Sequence, residues 1–202
     1  MIYICGDSFG VSDLEYGNCW ADIIASQFST CNLCQIAATN LLIAQQVDQA
    51  IAANANFIVV QFTSVTRSEK LHNGKYFPFS YHTANTETTP FSKSQLQILR
   101  EYYTEFFDLK LAIYQNAITV EHTLQKLVDS EIPFCFSQGG FEHANFHPMA
   151  TNYFAKFNHW RSGINLWDYT VTREYRPYYH ITDRLIHQQV ADYYIEEIKK
   201  TL

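Results

Sequence analysis

No apolar run in this 202-residue chain reaches the roughly 18 residues that a membrane-spanning helix needs, which excludes a helical membrane protein. The N-terminus lacks a basic stretch ahead of its short apolar segment, so no secretory leader is expected. Basic residues are in deficit: 14 Lys and Arg face 20 Asp and Glu, for a net charge of -6, and nucleic acid is not the expected partner. Charged residues are only 17% against 47% hydrophobic, which excludes a disordered chain. No internal repeat, low-complexity tract or linker interrupts the sequence. The expectation is one domain over residues 1–202, long enough to bury a sizeable core.

A second C-x-x-C pair is also missing. Cys31 and Cys34 have that spacing, but nothing completes a zinc site with them, and an apolar run follows where a redox helix would begin. Five cysteines is an odd number, and without a leader they read as free thiols in a reducing, cytoplasmic setting. His143 and His147 stand four apart, as helical metal ligands do, but Pro148 and the nearby glycines argue against a helix there. No metal or cofactor is expected.

What the sequence does contain is alternation. Residues 2–5 (IYIC), 31–36, 57–62 (FIVVQF), 132–136 and 164–167 read as strands. They are short, apolar runs, several closed by glycine or polar residues. Helices are expected over 18–28, from a Thr39 or Asn40 cap to about 53, over 92–129 as one helix or two, and from a Thr182 cap through 183–202. In the long helical region Leu96, Leu99, Tyr103, Phe106, Phe107, Leu111, Tyr114 and Ile118 form the expected inner stripe; in the last helix it is Leu185, Ile186, Val190, Tyr194, Ile195 and Ile198. Residues 70–92 are expected to be irregular. Strands that are apolar throughout suit a parallel sheet covered on both faces. The order predicts an α/β protein: a three-layer α/β/α sandwich around a central parallel sheet of about five strands.

Ligands of such sheets sit beyond the carboxyl ends of the strands. Four segments fall there: Asp7-Ser8, Ala37 to Asn40, Thr63 to Glu69, and Ser137 to Gly140. Ser8 lies in the turn ICGDSFG and needs a base to become a nucleophile. His180 and His187 flank the start of the last helix. His180 is the freer of the two; His187 reads as packed or supporting.

Gly6-Asp7-Ser8 after a first strand resembles the first sequence block of the SGNH/GDSL hydrolases. Asn32 to Asn40 (NLCQIAATN) resembles the second, with Ala37 or Ala38 where that family has glycine. The third block departs from the usual Gly-x-Asn-Asp. Residues 63–69 (TSVTRSE) are similar instead to a subset common in bacteriophage and bacteria. His180 through His187 to Ala191 resembles the last block, but Pro177 stands where the family keeps its triad aspartate.

The resemblance implies a flavodoxin-like fold and an esterase. Ser8 is then the nucleophile and His180 the base, with Asp183, Asp168 or Glu174 as the acid, or none. The N–H of Ser8, Ala37 or Ala38, and donors from Asn40, Thr63 or Ser64 would hold the oxyanion. Arg67 lies near the substrate or pairs with Glu69 to shape its loop. The implied substrate is a small acyl ester, such as an O-acetyl group on a carbohydrate, with no nucleic-acid or membrane partner and the oligomeric state open. The rival reading is a weak or inactive binding module for a glycan, or a virion-associated one, on the same fold. The high aromatic content suits a sugar or acyl pocket or an aromatic core, and Trp160 and Trp167 read as core.

Overall fold

The computed structural model describes residues 1–12, 18–64, 67–72, 75–79, 91–138, 160–165 and 183–202. Its main sheet is built from β1 (Ile2–Cys5), β2 (Thr30–Asn32), β3 (Phe57–Phe62), β6 (Phe134–Gln138) and β7 (Trp160–Asn165) in the order β2-β1-β3-β6-β7. All neighbours are parallel, with Ile2 opposite both Thr30 and Phe57, and Val60 opposite Phe136. Strand β7 joins the open edge less regularly, through Phe136 with Trp160 and Gln138 with Asn165. The expected α/β architecture is present, and every residue of β3 is buried, as a strand covered on both faces requires.

Helices α1 (Trp20–Ala25) and α5 (Arg184–Thr201) cover one face, where Trp20, Ile24, Tyr194 and Ile198 pack on Ile4 and Val59. Helices α2 (Asn40–Ala52) and α4 (Leu109–Asp129) cover the other, where Ile43, Val47, Leu124 and Leu127 pack on Ile58, Val60 and Phe136. Thr39 caps α2 by accepting from the Leu42 N–H at 3.2 Å. No helix among the described residues is long and apolar enough to cross a membrane.

Several expectations are corrected. Strand β2 stops at Asn32, because the backbone turns at Gln35 to Ala38 instead of continuing to residue 36. Strands β6 and β7 start at 134 and 160, against the expected 132 and 164. Residues expected to be irregular instead include an antiparallel hairpin, β4 (Ser68–His72) with β5 (Lys75–Phe79). The sequence between the two strands is Asn-Gly, the dipeptide two-residue hairpins favour; Pro78 obscures the pattern, although an isolated ribbon consists of edges and tolerates proline.

The region 92–129 is two helices, α3 (Lys93–Glu101) and α4, separated by a π-helical turn at Tyr102–Phe106. Asp108 caps α4 by accepting from the Lys110 and Leu111 N–H groups. The break resets the helical phase. Ala112, Val120, Leu124 and Leu127 therefore face the sheet, whereas Phe106, Leu111, Tyr114 and Ile118, expected inside, are exposed. Leu185, expected on the inner face of α5, is likewise exposed, because the buried stripe runs Val190, Ala191, Tyr194, Ile195, Ile198. That helix is capped by Asp183, which accepts from the Leu185 N–H at 2.8 Å. The expected cap, Thr182, lies outside the described residues.

Candidate active site

The strand order turns back on itself at β1: the chain goes from β1 to β2 on one side, then crosses to β3 on the other. Open parallel sheets place their ligand crevice at such a reversal. Strand β1 ends there in Gly6-Asp7, and a single turn of 3-10 helix follows at Ser8–Gly10.

Asp7 organises this end of the sheet. Its carboxylate is fully buried and accepts four hydrogen bonds. Oδ1 takes the Phe9 N–H at 3.0 Å and the Gln61 side-chain amide at 2.9 Å. Oδ2 takes the Thr63 hydroxyl at 2.6 Å and Arg67 Nη1 at 3.1 Å. A carboxylate so buried stays compatible with folding because an opposite charge and several donors replace its water. The same Nη1 donates to the Ala38 carbonyl at 3.0 Å. Burial pulls the Arg67 guanidinium below its usual range, and the adjacent Asp7 carboxylate opposes that.

Arg67, expected to pair with Glu69, forms an ion pair with Asp7, sixty residues away. Glu69 has the Thr39 hydroxyl, which lowers its pKa; burial outweighs this and raises it overall.

Two buried amides from α2 hold the strand ends. Gln46 Oε1 accepts the Gly6 N–H at 2.7 Å, and its Nε2 donates to the Gly6 carbonyl at 3.2 Å. Asn40 does the same for Thr63: Oδ1 accepts the Thr63 N–H at 2.8 Å, and Nδ2 donates to its carbonyl at 3.1 Å. The second Asn40 hydrogen goes to Asn116 at 2.8 Å. Each side chain replaces, at the point where a strand leaves the sheet, the partner a neighbouring strand would have supplied. Gln46 and Asn116 were not singled out from the sequence. The signal is a polar residue in an otherwise apolar helical stripe, visible for Gln46 between Ile43 and Val47.

The second turn approaches from β2. Ala38 N donates to the Gln35 carbonyl at 3.1 Å, and Ala37 has φ of 61°, a conformation that favours glycine. Alanine therefore occupies the position at which the resemblance anticipates glycine, and the backbone adopts the glycine-like angle.

The nominated donors divide accordingly. The Ala38 N–H, the Asn40 side-chain amide, and both the N–H and hydroxyl of Thr63 are engaged in hydrogen bonds within the scaffold. The N–H groups of Ser8 and Ala37, and the Ser8 hydroxyl, make no hydrogen bond with another described residue. Ser8 itself is 6% exposed. Ser64 is buried just beyond β3. At the end of β6, Ser137 shares a hydrogen bond with Tyr194 in the core.

The turn is packed from beneath by Cys34. A Cβ placed on Gly10 would meet Cys34 Sγ at 2.4 Å, and one on Gly6 would meet it at 3.2 Å. Burial pushes the Cys34 thiol well above its ordinary range, and Cys31 and Cys34 are both free.

His187, half-buried, accepts the Trp20 N–H on Nδ1 at 3.2 Å and so tops the N-terminus of α1. This is a supporting role. His180, Asp168, Glu174, Pro177, Trp167, His143 and His147 lie outside the described residues. Asp183, the remaining acid candidate, is a helix cap. No protein-family model matches the chain, and no curated protein matches it in sequence.

Proposed function

We propose that this protein is a serine hydrolase acting on small acyl esters, with Ser8 as nucleophile and His180 as base. One observation carries the reading. At the reversal point of the sheet, Ser8 keeps its hydroxyl and N–H uncommitted among the described residues, while the Asp7 carboxylate beside it takes four hydrogen bonds that fix its turn. Ser8 attacks the ester carbonyl as His180 takes its proton and later returns it to the leaving alcohol. The N–H groups of Ser8 and Ala37 receive the negative oxygen; such a donor is typically worth about 3 kcal/mol in the transition state.

His187 is not assigned as base, because its Nδ1 lone pair already serves Trp20. Asp183 is left to its cap, and Ser8 and His180 work as a pair. An O-acetylated carbohydrate is the proposed substrate class, and the free thiols support a reducing, cytoplasmic setting.

The test is labelling with a fluorophosphonate and hydrolysis of p-nitrophenyl acetate. Wild type reacts in both; Ser8→Ala does neither yet melts at the same temperature. Unlabelled, inactive wild type sinks the reading in favour of a binding module.

A further inference from the structure

The two N–H groups assigned to the oxyanion come from separate turns, one after β1 and one after β2. The pairing of β1 with β2 runs through Ile2, Tyr3 and Ile4 with residues 30–32 and ends just short of the two turns, in the Leu33 N–H to the Ile4 carbonyl and the Gln35 N–H to the Gly6 carbonyl at 3.2 Å. Beyond those bonds, Asn32 Nδ2 reaches the Gly10 carbonyl at 2.7 Å, and Arg67 ties together the residues that flank Ser8 and Ala37. Arg67 Nη1 binds Asp7 Oδ2 at 3.1 Å and the Ala38 carbonyl at 3.0 Å, so a single nitrogen joins the residue before Ser8 to the residue after Ala37. It comes from a third segment, beyond β3, and its side chain is 13% exposed against a fully buried Asp7.

We infer that Arg67 is a positioning residue for catalysis: a buried guanidinium that sets the spacing of the Ser8 and Ala37 N–H donors. The inference rests on the Ser8 reading. The Asp7 carboxylate caps the Ser8 turn through Phe9 N–H, so its pull on Arg67 is transmitted to the nucleophile's own backbone. The Ala38 carbonyl belongs to the turn whose strained member is Ala37, and holding that carbonyl opposes relaxation of the turn. A group that sets donor geometry acts on the transition state more than on substrate binding, so its loss falls on kcat. Misplacement of this kind by about 1 Å costs on the order of 100-fold in rate.

The experiment compares wild type, Arg67→Ala and Arg67→Lys by steady-state kinetics on p-nitrophenyl acetate and by the rate of fluorophosphonate labelling, with far-UV circular dichroism as the check on folding. In Arg67→Ala, kcat is expected to fall by on the order of 100-fold with KM little changed. Millimolar guanidinium restores part of the rate, and sodium at equal ionic strength does not. Arg67→Lys keeps the charge but not the planar fork, and loses rate mainly in kcat. If Arg67→Ala does not fold, Arg67→Lys carries the test alone.

A variant with wild-type kcat and labelling rate overturns the inference and leaves Ser8 as nucleophile. A loss confined to KM, or one that guanidinium does not touch in a folded Arg67→Ala, also overturns it. Wild type that is neither active nor labelled removes the Ser8 reading, and this inference with it.

Discussion

The Gln46 side chain pairs with the peptide of Gly6 through both its oxygen and its nitrogen, at 2.7 Å and 3.2 Å. A helix side chain thereby does the work of a missing strand at the point where β1 gives way to the Ser8 turn. Removing it strands the buried Gly6 N–H, at a cost of about 1–3 kcal/mol, whereas the Gly6 carbonyl keeps the Gln35 N–H at 3.2 Å. Gln46→Met, similar in length with neither group, is expected to lower stability by about 1–3 kcal/mol, and the melting temperature by on the order of 2–10 °C for a chain of this size. Thermal denaturation followed by circular dichroism checks it, and a shift below a degree or so would show that Gly6 finds other partners.

Ala37 sits at a φ of 61°. For an L-residue with a Cβ that region costs about 1–2 kcal/mol. Glycine escapes the cost but brings a more flexible unfolded chain, worth about 0.4–1 kcal/mol in the opposite direction. Ala37→Gly is therefore expected to stabilise the protein by about 0.5–1 kcal/mol. Ala37→Val, β-branched, is expected to destabilise it. Urea denaturation midpoints for the two variants should move in opposite directions.

Gly10 faces a wall instead. Its added Cβ would lie 2.4 Å from Cys34 Sγ and 3.2 Å from Trp20 Cζ2. Gly10→Ala is expected to cost about 1–3 kcal/mol, as overpacking does. Much of that cost disappears when Cys34→Ala is made in the same chain, because the thiol is the closest obstacle. A double-mutant cycle reads the coupling directly; strict additivity of the two substitutions would contradict the packing argument.

Glu69 gives a pH signature. Burial raises its folded-state pKa above the ordinary carboxyl value, despite the Thr39 hydroxyl. A carboxyl raised on folding binds its proton more tightly in the native state. Its ionisation therefore lowers stability above the folded pKa, and that penalty fades as pH falls through it toward the unfolded value. Glu69→Gln, which keeps an oxygen for Thr39, is expected to raise the melting temperature at pH 7 and to lose that advantage near pH 4. An advantage that persists at pH 4 would assign the effect to something other than this titration.

The layered architecture was legible because each strand is a short apolar run and each helix carries one apolar stripe. Sequence pattern reports burial, and FIVVQF could hardly sit anywhere but in a covered sheet. The inner face of α4 was not legible, because periodicity carried through from Leu96 and Leu99 cannot register a phase reset. The Asp108 cap and the preceding π turn shift the wheel, turning Leu111, Tyr114 and Ile118 outward.

At the candidate site, Asp7, Ser8, Ala37 and Arg67 were identifiable by type and position. Their partnerships were not, because hydrogen bonds between residues some sixty apart leave no local pattern: Arg67 reads as the neighbour of Glu69 until the fold brings it to Asp7. Asn40 and Thr63 read as donors to a ligand because they are polar and lie at strand ends, and nothing in the sequence reveals that each already satisfies the other.

The two faces of the sheet close at different times in the life of the chain. Among the described residues, the face under α2 and α4 draws only on residues 3–136, whereas the face under α1 and α5 joins residues 2–34, Phe57, Val59 and Cys135 to residues 186–198. The cluster that holds Ile4, Trp20, Phe57 and Val59 therefore stays incomplete until residues 186–198 have been synthesised, whereas the other needs nothing beyond residue 136. Pairings of such long sequence separation are slow to form, and the waiting surface is apolar. The final helix thus governs how long the newborn chain remains open to chaperones, or to its own neighbours.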